Sequence, residues 1–283
     1  MNVLTRLHRL FTKEREIRMI WEVEKGDRTS FLVGTSHFFP YRFTDSLRRH
    51  IGSAHTVLLE GPLDERAMRA VVESGTGKGS HPSLYDALDA PTIEKIGAAL
   101  AEPTAPASAS RLYWDILGGG PQDSLRSEIG GLKPWMAFYH IWTHYRTRDG
   151  WVYTMDLDAA NIAREMGKEV RFLERIEEQI EALNRIPLER IVGFLKNVDW
   201  YRYRRDFVRH YLAGDLERLM ATASVFPTFC EPIIDRRDPV LHDRMGPFLE
   251  KGNAIAFVGI THCRGIISRL RAQRYAVKAA TGH

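Results

Sequence analysis

Apolar residues in this chain come in short runs, and several of the runs stop at glycine, histidine or glutamate. Between Arg18 and Phe38, two apolar-rich stretches flank the turn-forming Lys25, Gly26 and Asp27, a pattern that predicts a β-hairpin. Its second strand, Ser30 to Val33, runs into Gly34-Thr35-Ser36-His37, so His37 stands just past the strand's carboxyl end. The run Thr56 to Leu59 ends in Glu60-Gly61-Pro62. The run Glu169 to Leu173 follows a helical pattern over Asp158 to Met166 with a stop at Gly167, and ends at Glu174. The run Ala254 to Val258 ends in Gly259-Ile260-Thr261-His262. Strands alternating with helices predict an α/β fold, a central and mostly parallel sheet flanked by helices. Ligands of such sheets collect at the carboxyl ends of the strands, where His37, Glu60, Glu174 and His262 are delivered.

Outside these strands the patterning changes. Residues 1–18 carry Leu4, Leu7, Leu10 and Phe11 on one helical face with basic residues between them. This predicts an amphipathic N-terminal helix that docks on the protein's own core or makes a peripheral contact with a membrane or partner. Residues 19–73 and 152–283 then form the α/β core. Residues 74–151 are interrupted by glycine-, proline- and serine-rich stretches and read as an inserted helical subdomain or lid. Within it, Pro134 is placed to start a helix bearing Trp135, Phe138, Tyr139 and Trp142, and a later helix bears Tyr201, Phe207 and Tyr211. Such aromatic stripes serve as core or as a substrate wall.

The 283 residues, 44% hydrophobic and 27% charged, exclude a disordered or collagenous chain and are enough for a sizeable core. The formal charge of +4 is too small an excess to imply a nucleic-acid partner. Two cysteines, Cys230 and Cys263, without CxxC spacing, make neither a disulfide scaffold nor a thiol metal site, which favours a cytoplasmic location. No apolar run is long enough for a transmembrane segment. Gly75 to Ser80 lacks the spacing of a P-loop and reads as a loop. Trp200 to Arg205 interleaves aromatic and basic residues, but a helix sends these to opposite faces. Nothing in the pattern specifies an oligomeric state.

The most informative feature is an approximate repeat. Phe31-Leu32-Val33-Gly34-Thr35-Ser36-His37 and Ala256-Phe257-Val258-Gly259-Ile260-Thr261-His262 each place a histidine three residues past a glycine at a strand end. Histidine supplies a neutral nitrogen that binds a metal or takes a proton near neutral pH. Glu60 completes a His, His, carboxylate set, suited to a divalent ion with open positions for water. The same trio can work without metal, one imidazole acting as general base and the carboxylate orienting it. Glu174 is a further catalytic candidate, whereas Glu177 and Glu178 read as ordinary charges at a helix start. Arg237 offers fixed donors for a developing oxyanion. Cys263 reads as a packed thiol.

These ordered motifs resemble the TraB, GumN and Tiki group, within the wider superfamily that includes erythromycin esterase-like and ChaN-like proteins. Gly34-Thr35-Ser36-His37 is similar to that family's first G-x-x-H, and Leu58-Leu59-Glu60 to its strand-borne acid. Asp156-Leu157-Asp158, Gly167-Lys168-Glu169-Val170 and Leu173-Glu174 through Gln179 resemble its central stretch. Gly259-Ile260-Thr261-His262 through Gly265 resembles its second G-x-x-H, and Asp238 stands after Arg237 where the family carries Asn. The resemblance implies a metal-dependent hydrolase, a Tiki-like peptidase using manganese, cobalt or zinc held by His37, His262 and Glu60. Glu60, Arg237 and Glu174 are then its catalytic groups, and a peptide or small molecule its substrate. The alternatives are a metal-free hydrolase like the erythromycin esterases, or a non-catalytic regulatory protein binding a peptide or haem.

Overall fold

A computed structural model describes residues 13–76, 82–100 and 125–280. Six strands form one sheet in the order β4-β3-β5-β2-β1-β6: β1 (Ile20–Lys25), β2 (Arg28–Thr35), β3 (Thr56–Leu59), β4 (Glu169–Phe172), β5 (Ala254–Gly259) and β6 (Ala276–Ala279). The pairs β2/β5, β3/β5 and β3/β4 are parallel, while β1 pairs antiparallel with both β2 and β6. The hairpin and the four strand ends read from the sequence are therefore present. The edge strand β6, alternating and only four residues long, is an addition to them.

Around the sheet lie α1 (Thr44–Ser53), α2 (Glu65–Gly75), α3 (Ala90–Leu100), α4 (Leu125–Ile129), α5 (Pro134–Arg148) and α6 (Met155–Glu165), followed by α7 (Ile176–Asn184), α8 (Leu188–Asn197), α9 (Trp200–Ala213), α10 (Leu216–Ala223), α11 (Arg237–Lys251) and α12 (Ile260–Ala272). One apolar core fills the space between the sheet and its helices, with Leu32, Val33, Val57, Leu58 and Phe257 fully buried. A second core gathers Trp135, Phe138, Ile141 and Trp142 of α5 with Ile191, Phe194 and Leu195 of α8 and Trp200 of α9. The described helices between residues 82 and 148 thus share their core with residues beyond 151. Tyr203 lies against both cores and joins them.

The amphipathic helix expected over residues 1–18 is not continued in its described part. Residues 1–12 lie outside the described residues, and 13–18 are not helical. Arg15 donates its backbone N–H to Arg42 O, Ile17 donates to Ser46 Oγ, and a Glu14 carboxylate oxygen accepts from Asp45 N. These backbone partners, together with the burial of Ile17, hold the segment against the approach to α1. No described helix is long and apolar enough to cross a membrane.

One glycine determines how the sheet meets the second histidine motif. A Cβ on Gly34 would lie 2.2 Å from Ile260 Cδ1 and 3.0 Å from Cys263 Sγ, so the first turn of α12 packs directly on the β2 backbone. Cys263 is fully buried there, and burial pushes its thiol well above the ordinary value, as fits a packing role.

Candidate functional site

The sheet order places β5 between β2 and β3, so the chain leaves three neighbouring strands on one edge with His37, Glu60 and His262. Glu174 joins them from β4: its backbone N–H donates to Glu60 O, extending the parallel ladder beyond the strand ends. All four residues foreseen at the carboxyl edge are brought together, and His37, Glu60 and His262 border a cavity of about 290 Å³. Its opposite wall is helical and aromatic, with Trp135, Tyr139 and Trp142 from α5 and Tyr203 and Phe207 from α9.

Arg237, the first residue of α11, is the hub of the polar wall. Its Nε donates to Glu174 at 3.0 and 3.1 Å and its Nη2 to the same carboxylate at 2.6 Å. Nη2 also reaches Glu60 Oε2 at 3.1 Å, while the other Glu60 oxygen accepts the Gly259 N–H. Burial alone would raise the Glu60 pKa, but the Arg237 charge above all, with the His262 and His37 rings and the Gly259 N–H, holds it down at about 2. Glu60 is therefore a fixed anion, and Arg237 a fixed cation shared between two buried carboxylates.

The two histidines are set up differently. On His262, Nδ1 lies 2.7 Å from Asp238 Oδ1, Nε2 lies 3.3 Å from Arg237 Nη1, and the side chain is 3% exposed. With Asp238 accepting from Nδ1–H, the Nε2 lone pair faces the Arg237 donor, and neither nitrogen is free. Asp238 can approach because residue 265 is glycine: a Cβ there would lie 1.7 Å from Asp238 Oδ2. His37, by contrast, has a charged partner at one end only. Its Nδ1 lies 2.8 Å from Asp156 Oδ2, and 57% of the side chain is accessible where it faces the cavity. The backbone exchange between Phe39 and Tyr153, 2.8 and 3.2 Å, draws the loop after β2 toward the start of α6, where Asp156 stands. Desolvation within the cavity lowers the His37 pKa. The Asp156 carboxylate and the Glu60 charge outweigh it, and the net shift is upward.

Asp156 and Asp238 were not singled out as site residues from the sequence, although both sit inside quoted motifs. Nothing in a linear reading ties Asp156 to a histidine more than a hundred residues earlier. Arg146, which reaches the cavity from α5, carries no such signal in the sequence, whereas Tyr139 lies on the aromatic stripe read there as core or substrate wall. Glu178 pairs with Arg244 at 2.7 Å and caps α7 through Arg175 N, the ordinary helix-start role expected of it.

The ligand trio expected for a divalent ion does not fit one as these side chains stand. Both Glu60 oxygens accept N–H groups, and the Arg237 cation stands against His262 Nε2. Among the described residues no three histidine, cysteine, aspartate or glutamate side chains converge as a metal-holding group. A cation already occupies the centre of the cluster, and it is a guanidinium.

The model of the TraB/PrgY/gumN family matches residues 19–279. The chain belongs to this family, and the match spans the sheet and both histidine motifs. Comparison with curated proteins gives no significant match.

Proposed function

We propose that this member of the TraB/PrgY/gumN family is a hydrolase that cleaves a peptide, or a related amide or ester, with water activated by His37. The observation that supports this most is the asymmetry of the two histidines: His262 is closed at both nitrogens, whereas His37 is oriented at one nitrogen and open to the cavity at the other. An imidazole so held is a general base. His37 Nε2 takes a proton from water as the water oxygen bonds to the substrate carbonyl carbon, and Asp156 stabilises the imidazolium. The same proton is then given to the leaving nitrogen or oxygen as its bond to carbon breaks.

Arg237 supplies positive charge at the polar wall, where the carbonyl oxygen becomes an oxyanion. Its two carboxylates fix its position, so little reorganisation accompanies the reaction. Tyr139 adds a hydroxyl on the facing wall; burial pushes its pKa up to about 12, so it remains a donor through the neutral range. Glu60 and Glu174 hold Arg237, and Asp238 holds His262 against it.

The test is a screen of peptide, amide and ester libraries with the wild-type protein and with His37→Ala. Loss of roughly a hundred- to ten-thousandfold in kcat with an unchanged fold is expected; full turnover in the variant sinks the reading. Because the base must be neutral, activity should rise with pH through a value above the ordinary 6.5 of histidine. Asp156→Asn, which removes the carboxylate that raises it, should move that limb to lower pH.

A metal-assisted form of the same hydrolysis is the second reading. It is favoured by the carboxylate held against Nδ1 of each histidine, the arrangement that orients metal-ligating imidazoles. It requires Arg237 to withdraw from Glu60 and His262. Metal analysis of protein purified without chelator, before and after manganese, cobalt or zinc is added, separates the two. One ion per chain that is lost in His37→Ala and His262→Ala selects the metal form, and turnover indifferent to chelators selects the imidazole alone.

A further inference from the structure

The buried arginines of this protein are treated unequally. Arg237 has two carboxylates, and Arg204 pairs with Asp149. Arg146, in the last turn of α5, is 9% exposed and pairs with no described acid. Its guanidinium carbon lies 4.6, 5.6 and 5.8 Å from the ring centroids of Phe38, Trp142 and Trp151. Its Nε has neither a hydrogen-bond partner nor contact with solvent, and the side chain borders the cavity.

An isolated buried cation is costly. Ring faces attract it, and the negative end of α5 lies close by, but both attractions are weaker than the lost hydration. Neither gives the guanidinium the in-plane acceptors that its fork of N–H donors fits. An apolar side chain would fill this place more stably if packing were all that was required. Burial in fact weakens the hold of Arg146 on its proton, lowering its pKa to about 9; the Tyr139 and Tyr203 hydroxyls oppose this only in part, and the Arg204 charge adds to it.

We propose that Arg146 binds a free carboxylate on the substrate, so that the cavity takes molecules with an apolar or aromatic body ending in that group. If the cavity is the hydrolytic site proposed above, the carboxylate is that of a peptide's apolar C-terminal residue. Phe38, on which Arg146 lies, directly follows His37 in the chain, so the anchored end sits beside the catalytic base. A monoanion neutralises a single guanidinium among aromatic rings, whereas a phosphate dianion would leave a net charge in an apolar wall.

The test needs no turnover. Phenylpropanoate and its uncharged analogue phenylpropanamide are titrated at neutral pH against the full-length protein, read by tryptophan fluorescence, since Trp142 and Trp151 lie under the guanidinium. The carboxylate should bind about tenfold or more tighter than the amide, and Arg146→Met should erase that difference while melting no lower than wild type. If Arg146→Met fails to fold, Arg146→Lys serves instead; it keeps the charge but loses the fork, and the preference should shrink.

Equal binding of acid and amide to wild type, no binding of the acid at millimolar concentration, or a preference retained in Arg146→Met would overturn the proposal. So would phenyl phosphate binding tighter than the carboxylate. Carboxylate binding through Arg146 without hydrolysis of any substrate refutes the hydrolase and leaves this site standing. Hydrolysis of C-terminally amidated peptides as fast as free acids does the reverse.

Discussion

The two walls of the cavity handle charge in opposite ways. At the strand ends, each charge has been given a counter-charge: Arg237 has Glu60 and Glu174, His262 has Asp238, and His37 has Asp156. On the helical wall, Arg146 lies among rings with no acid beside it among the described residues. Around Arg237 the network is closed and fixes geometry, because Arg237, Glu60 and His262 are each held by more than one partner. A lone cation fixes little by itself, and its unsatisfied donors are a standing affinity for an anion from outside. The polar wall is therefore read as the machinery and the aromatic wall as the recognition surface.

The sharpest way to break this contrast is to remove one arginine from each wall. Arg237→Met strands two buried carboxylates and should cost about 3–5 kcal/mol of stability. Arg146→Met strands none, and stability should be unchanged or higher. Denaturant titration of the two variants side by side checks the difference; similar losses in both would mean that Arg146 is as structural as Arg237.

A smaller effect probes the closure around His262. Gly265→Ala forces a methyl toward Asp238 Oδ2, and relieving that clash should cost about 1–3 kcal/mol. It should also loosen the Asp238 contact, visible as a changed chemical environment of the His262 ring by NMR. Unchanged ring resonances would mean that Asp238 does not position the ring.

The narrowest probe of the polar wall is the acid dependence of stability. The Glu60 pKa, ordinarily 4.5, is held at about 2 in the folded protein, so its contribution is fully present above 4.5. It is lost as pH falls toward 2. Comparing stability against pH for wild type and Glu60→Gln checks this: the variant should lose less stability over that interval. Parallel curves would show that Glu60 titrates normally.

The regions legible in the sequence were those where one short segment carries both the element and the chemistry. The runs ending at His37, Glu60, Glu174 and His262 each combine a buried strand with the residue it delivers, and a parallel sheet aligns such ends on one edge. Arg237 was legible by residue type, though not by partner. The N-terminal pattern misled in its described part, because residues 13–18 satisfy their backbone groups against residues 42–46 instead of within a helix.

What the sequence by itself determined is the alternation of strands and helices and the chemistry at the carboxyl edge, because both follow from local periodicity and from glycines at strand ends. What only the tertiary structure decided is which histidine is free. That depends on Asp156 arriving through the Phe39–Tyr153 pairing, on Arg237 and Asp238 converging on His262 from α11, and on Gly265 leaving room for them. These contacts join segments far apart in the chain. Strand periodicity fixes which face of the sheet a residue takes, but not the helix that will stand opposite it.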